Sequence, residues 1–377
     1  MRRARRPVHE NYSLEWRSGF RLDADDAIET GMRRSRGLRL GMFIALAAGQ
    51  SAAVRAQSGG FAIDRYLRDS IKLDAGQMTD IGRGRAVSKL LPTGSSRDVT
   101  VFGIIAVNTT RDAYVAYLED ARRLIALRSP QFGIINDPIA AADVENIAVD
   151  DGEYRDLRDC KKDDCNFKLP ESTMRQFAEQ VHWNSSSAKR EVDSLVRANV
   201  QRFVADYRTV GNAAMVRYDD TRGTQASDAF STLLGQSSYL RDYATALREY
   251  LVAYPSRKPA DAHDVIYWSQ DKIRRLRPTF TLTHMVVYTP PSGTPLIARK
   301  QIYASHYFEG AFELLAAFDA SSATGQAGMY LVSVRRYRFD NLPSGGFFNI
   351  RGRARNALAD LVRSDLEKER DALEHRS

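Results

Sequence analysis

Two cysteines and six histidines in 377 residues leave little material for a metal-bound or redox-active module. Both cysteines stand in one stretch, Asp159-Cys160-Lys161-Lys162-Asp163-Asp164-Cys165. With no second cysteine pair and no histidine nearer than His182, a tetrahedral zinc site lacks its ligands there. The spacing also excludes a CxxC redox centre. No GxSxG elbow, HExxH helix or P-loop occurs, and Gly82-Arg83-Gly84 and Gly345-Gly346 lack the lysine and the strand-to-helix context that nucleotide binding needs. Long hydrophobic runs are missing too. Beyond residue 57 the best candidate, residues 312–318, is interrupted by Glu313, so no transmembrane anchor is predicted there. No metal or cofactor is predicted.

What the chain does have, early on, is a basic head followed by an apolar block. Arg33, Arg34, Arg36 and Arg39 precede nine uncharged residues, 40–48, about half the length a bilayer-spanning helix needs. Val54-Arg55-Ala56 then offers a small or β-branched residue at positions −3 and −1 of a cut before Gln57. That order predicts a secretory signal peptide over residues 32–56, cleaved after Ala56, and a periplasmic or secreted product. Residues 1–31, rich in Arg and Asp without an apolar period, read as a disordered extension or a mis-assigned start, with translation beginning at Met32. In an oxidising compartment Cys160 and Cys165 are predicted to form a local disulfide.

Charge is reinterpreted once that leader is set aside. The whole chain carries +8, but residues 1–56 hold 11 of the 55 Lys and Arg and 6 of the 47 Asp and Glu, leaving +3 beyond them. The remaining basic residues are interleaved with acidic ones and form no stripe with aromatics, so no nucleic-acid partner is predicted. With 43% hydrophobic residues, the domain over residues 57–377 can bury a core.

Hydrophobic periodicity predicts the elements. Residues 62–71 form a short amphipathic helix, and 82–92 a strand that pairs as a hairpin with the β-branched run 98–107. A helix over 112–124 follows, with Asp112 in a capping-box-like position after Thr109. Residues 132–149 hold short edge strands. From about 170 to 255 the pattern is helical, clearest where Val192, Leu195, Val196, Val200, Phe203, Val204 and Tyr207 keep a 3.6-residue period. Pro255 and Pro259 make 256–262 a linker candidate. Beyond it the period switches to 2, predicting strands at 280–288, 296–308, 312–319 and 329–339 as an antiparallel meander. A loop at 341–346 leads to a helix over 350–373.

Helix, hairpin, helix, antiparallel strands and one long terminal helix is the order of the helix-grip fold. The chain resembles the START-like (SRPBCC) superfamily of hydrophobic-ligand-binding domains. The likeness is carried by Asp98-Val99-Thr100-Val101-Phe102-Gly103-Ile104-Ile105-Ala106-Val107 with the helix behind it. It is carried again by Gly328-Met329-Tyr330-Leu331-Val332-Ser333-Val334-Arg335-Arg336-Tyr337-Arg338-Phe339-Asp340 with the terminal helix. The chain also looks like an uncharacterised group of exported bacterial proteins that share the Cys160–Cys165 loop and Lys300-Gln301-Ile302-Tyr303-Ala304-Ser305-His306-Tyr307-Phe308. The resemblance implies an α+β fold: a curved antiparallel sheet, a long C-terminal helix and a helical insertion at about 170–255. It also implies a cavity between sheet and helix for a lipid or other hydrophobic small molecule.

The densest polar and aromatic cluster runs from Tyr303 to Glu309. Alternation on a strand puts Tyr303, Ser305 and Tyr307 on one face and Ala304, His306 and Phe308 on the other, which separates Ser305 from His306. His284, Tyr303, His306 and Tyr307 are the candidate ligand contacts, with His284 expected to face His306 across the sheet. An alternative is a hydrolase-type enzyme using His306 with Ser305, Tyr307 or Glu309, and a further one is an envelope interaction module without a pocket. Arg335, Arg336 and Arg338 read as a solvated strand face with nearby acidic partners.

Overall fold

The structure is a computed structural model that describes residues 61–221, 223–272, 276–291, 293–320, 328–340 and 350–375. The leader read at 32–56 and the loop at 341–346 lie outside the described residues.

The run Asp98–Val107 becomes strand β2, and nine of its ten residues are buried. A strand that reads as continuously apolar must be covered on both faces, and this one is. It pairs with β1 (Val87–Leu91) on one side and with β10 (Met329–Phe339) on the other. The meander then runs back through β9 (Phe308–Asp319), β8 (Leu296–Ala304), β7 (Thr279–Tyr288) and β6 (Ala262–Asp271) to the four-residue edge strand β3 (Phe132–Ile135). The eight strands form one antiparallel curved sheet, and the fold is α+β.

Helices cover both sides. On one face lies α11 (Ile350–Glu374), which buries Ala354, Leu358, Val362 and Leu366, one every fourth residue. Each of the larger side chains contributes about 1.5–3 kcal/mol by leaving water. Gly103 of β2 lets this helix approach, since a Cβ there would meet Val362 Cγ1 at 2.3 Å and Leu366 Cδ1 at 2.9 Å. The helices α3 (Arg111–Leu118) and α4 (Ala121–Ala126) join this layer. The opposite face carries α1 (Ile63–Arg65, continued as a π turn) and α2 (Ala75–Gly82). A helical region covers the rest of it: α5 (Asp151–Asp159), α6 (Glu171–Gln180), α7 (Ala188–Val210), α8 (Ala226–Gly235), α9 (Ser238–Asp242) and α10 (Thr245–Ala253). A two-strand ribbon, β4 (Arg217–Tyr218) with β5 (Thr224–Gln225), interrupts it. No helix among the described residues is long and apolar enough to cross a membrane.

Several expectations change. The helix expected over 112–124 is two helices, because Asp120 caps a new start by accepting from Arg123 N at 2.9 Å. The cap of α3 is Thr110, accepting from Ala113 N, and not Thr109. Residues 144–149 are not strands. Residues 256–262 separate no domains, since the chain from Gly59 onward is one compact unit. Strand β6 and helix α5 lie where no element was expected; α5 is a charged segment whose signal is the capping box between Asp150 and Glu153.

The predicted disulfide is present, linking Cys160 to Cys165. It closes the turn after α5, and that turn is docked by Asp163 N to Asp219 O at 2.9 Å and Cys165 N to Asp220 O at 3.2 Å.

Candidate functional site

The residues singled out in sequence fall into separate environments. His284 is fully buried on the β7 face turned to α7 and α10. Its Nδ1 lies 2.9 Å from Tyr207 Oη, its Nε2 lies 3.4 Å from Asp264 Oδ2, and the Tyr254 ring centroid is 4.4 Å away. Its cross-strand neighbour is Lys300, whose Nζ donates to Tyr207 Oη at 2.9 Å and to Asn212 Oδ1. Burial pushes the imidazole pKa down, against the pull of Asp264. It pushes the Lys300 amine well below its ordinary value, with no carboxylate to oppose it. Burial also raises the Asp264 carboxyl, but hydrogen bonds from His284 and Lys258 outweigh it and leave the carboxyl lowered. The depressed imidazole and the depressed carboxyl fit one state, a neutral ring beside a carboxylate. Asp264, His284, Tyr207 and Lys300 thus make a polar chain, but neither cavity described below is lined by His284, Tyr207 or Lys300.

His306 is elsewhere. Its Nδ1 lies 2.7 Å from Asn166 O, its Nε2 is 3.7 Å from Glu153 Oε1, and Phe167 packs edge-on against the ring. The two histidines share no partner, so they do not face each other as expected. Of the proposed catalytic neighbours Tyr307 packs on His306, with ring centroids 5.8 Å apart, but the hydroxyls of Ser305 and Tyr307 are engaged elsewhere. Ser305 Oγ accepts from Phe280 N at 3.0 Å, and Tyr307 Oη accepts from Arg277 N at 3.1 Å. Glu309 is held by Arg97, by Thr224 Oγ1 at 2.9 Å and by Arg338 at 3.4 Å.

The two-residue alternation expected through 303–308 ends at a bend over 305–307, and a bulge just before the stretch sets which face Tyr303 takes. Leu282 pairs with Tyr303 and Thr283 with Gln301, so Ile302 is an extra residue and β8 bulges there. Ile302 and Tyr303 both pack into the core on the α7 side, while Ala304 faces the α11 side. Residues 305–307 then form a bend with Tyr307 in the left-handed region at φ 62°.

Two cavities lie on opposite faces of the sheet. The one facing α7 has a volume of about 220 Å³. Its walls include Phe177, Val196, Val200, Phe203, Phe280 and Tyr303. Its polar lining includes Thr173, Gln270 and the buried Glu153, whose Oε1 has no hydrogen-bond partner among the described residues. Asn199 Nδ2 is buried without a hydrogen-bond partner, because only its Oδ1 is engaged, by Arg202. Tyr303 Oη is committed to Lys168 O at 3.0 Å. Arg202 and Asp206 stand exposed at the rim.

The second cavity, about 290 Å³, lies where the resemblance implies a hydrophobic pocket, between the sheet and α11, and charged side chains stand among its walls. Arg299, Glu313 and Arg335 stand side by side on β8, β9 and β10 through direct register. Glu313 accepts from Arg128 at 2.5 Å, Ser333 at 2.8 Å, Arg335 Nε at 3.0 Å and Arg299 Nη1 at 3.3 Å. Arg335 also meets Asp365 of α11 at 2.7 Å, and Arg128 meets Glu369 at 3.3 Å. Burial raises the Glu313 carboxyl, but Arg128, Arg335 and Arg299 outweigh it and hold the group well below the usual range. Arg335 is therefore buried and ion-paired, and not part of a solvated face; its acidic partners are as expected. Arg299 carried no signal in the linear sequence, since its partner Glu313 comes beside it only through strand pairing.

Comparison of the chain with protein-family models, with curated proteins and with solved structures gave no match.

Proposed function

We propose that this chain is an exported, non-enzymatic binding protein that holds a small hydrophobic molecule in the cavity between the sheet and α7. The START-like relationship and the signal peptide at 32–56 belong to the same proposal. The first is supported by the order of elements, the second by its basic head and apolar block together with the Cys160–Cys165 disulfide. The observation that carries the reading is the cavity of about 220 Å³ walled by Phe177, Val196, Val200, Phe203 and Phe280, with one unmet amide at Asn199. A concave apolar space with few polar groups is what a small-molecule site requires. A ligand burying about 200 Å² of apolar surface there gains roughly 5 kcal/mol before the cost of immobilising it. Binding over catalysis is supported by the engagement of Ser305, Tyr307 and Glu309 in other hydrogen bonds.

The test is solvent extraction and mass spectrometry of the purified protein, with thermal shifts across neutral apolar compounds. Val200→Trp, which fills the cavity, should keep the fold by circular dichroism and abolish both signals. A clean extract with no shift in the parent protein would overturn the proposal, as would undiminished binding in the folded variant.

A further inference from the structure

The polar cavity under α11 is unusual in what it leaves unmet. Arg299 is 6% exposed and Gln301 8%, so both are more than nine-tenths buried. Both line the cavity, two residues apart on the same face of β8. Arg299 spends one terminal nitrogen on Glu313, while its Nε and Nη2 have no hydrogen-bond partner among the described residues. Those two nitrogens form one edge of the guanidinium, a pair of parallel donors spaced for the two oxygens of a carboxylate or phosphate. Gln301 Nε2 is a third buried donor without a partner. A buried donor left unmet costs about 1–3 kcal/mol, and more when the group is charged.

The protein's own acids do not fill this gap. Glu313 is already shared by Arg128, Arg335, Ser333 and Arg299. Asp365 is turned to Arg335 through Oδ2, its Oδ1 lies 3.8 Å from Lys368 Nζ without a hydrogen bond among the described residues, and Asp271 accepts from Ser129 Oγ, Ser269 Oγ and Thr281 Oγ1. Among the described residues, five basic ones line the cavity against three acidic ones. Lys272, at the end of β6, is exposed and lines it too, so the cavity reaches the surface beside a positive charge.

We propose that the cavity between the sheet and α11 binds a small molecule through an oxyanion group, a carboxylate or a phosphate, which docks on the Nε/Nη2 edge of Arg299 and on Gln301 Nε2. This site is independent of the apolar cavity across the sheet.

The experiment titrates the full exported chain by calorimetry with inorganic phosphate, glycerol phosphate, butyrate and succinate, each against chloride at matched ionic strength. The expected result is saturable one-to-one binding by either the phosphates or the carboxylates, and the tighter class names the group. Arg299→Lys keeps the charge but removes the paired edge, and should weaken binding at least tenfold. Gln301→Met leaves the ion-pair network intact and should weaken it three- to tenfold, which keeps the test decisive if Arg299 variants fail to fold. One buried arginine Nε–H resonance should move during the titration. No saturable binding by any of the four probes would overturn the proposal, and so would an affinity unchanged in Gln301→Met.

Discussion

Replacing Lys300 by Met should stabilise this protein near neutral pH, and by an amount that depends on pH in a specified way. Lys300 is fully buried, with Tyr207 and Asn212 as hydrogen-bond partners and its Nζ 4.3 Å from the Phe230 ring centroid. Burial lowers its pKa well below the ordinary 10.5. In the interval between that depressed value and 10.5, the unfolded chain holds the ammonium proton and the folded chain does not. The unfolded state then binds more protons, so the stability of the parent protein rises with pH by about 1.4 kcal/mol per unit across that interval. The penalty is absent above 10.5 and grows as pH falls toward the folded value. Methionine fills nearly the same volume and does not titrate. Urea unfolding of both proteins at pH 7.5, 8.5 and 9.5 should therefore show the advantage of Lys300→Met shrinking by up to about 3 kcal/mol over the series. The lost hydrogen bonds shift all three values equally and leave the slope untouched. His284 does not interfere, because burial holds its pKa below 6.5, under the range measured. Parallel stability curves would refute the reasoning and place a partner charge near Lys300.

Two further outcomes follow from packing and chain connectivity. Gly103→Ala puts a methyl 2.3 Å from Val362 Cγ1 and should cost about 1–3 kcal/mol by overpacking, with Val362→Ala as the second-site change that restores stability in the double mutant. Cys160→Ser opens a six-residue loop, whose closure entropy corresponds to about 2 kcal/mol; the parent protein in excess reductant should show the same loss of unfolding free energy, and the variant should be insensitive to it.

Legibility in the sequence followed periodicity. Helix α7 and strands β7 and β10 were readable because each keeps one period, β2 because it is a continuous β-branched and apolar run, and the long terminal helix by its own period. Strand β6 was not read, although Val265-Ile266-Tyr267-Trp268 is β-branched and aromatic, because the prolines just before it suggested a break. Helix α5 hid behind its charge, since Leu157 and Glu153 are the residues it buries. The polar cavity was out of reach for another reason. Arg299, Glu313 and Arg335 are separated by 14 and 22 residues and become neighbours only through strand register, while Arg128 arrives from the turn after α4 and Asp365 and Glu369 from α11. The pairing of His284 with Lys300 is likewise set by register. The bulge at Ile302, which turned Tyr303 toward the apolar cavity, has no marker in residue type.

The sheet acts as a partition whose two sides are written into alternate letters of the same strands. On β7, Phe280 and Leu282 line the apolar cavity while Thr279, Thr281 and Thr283 line the polar one. Gln270 borders both. Inserting or deleting a single residue within β7 would exchange the two linings, presenting threonines to the aromatic chamber and phenylalanine to the arginines. Evolution of either chamber is therefore confined to substitutions within these strands and to length changes in the loops outside them.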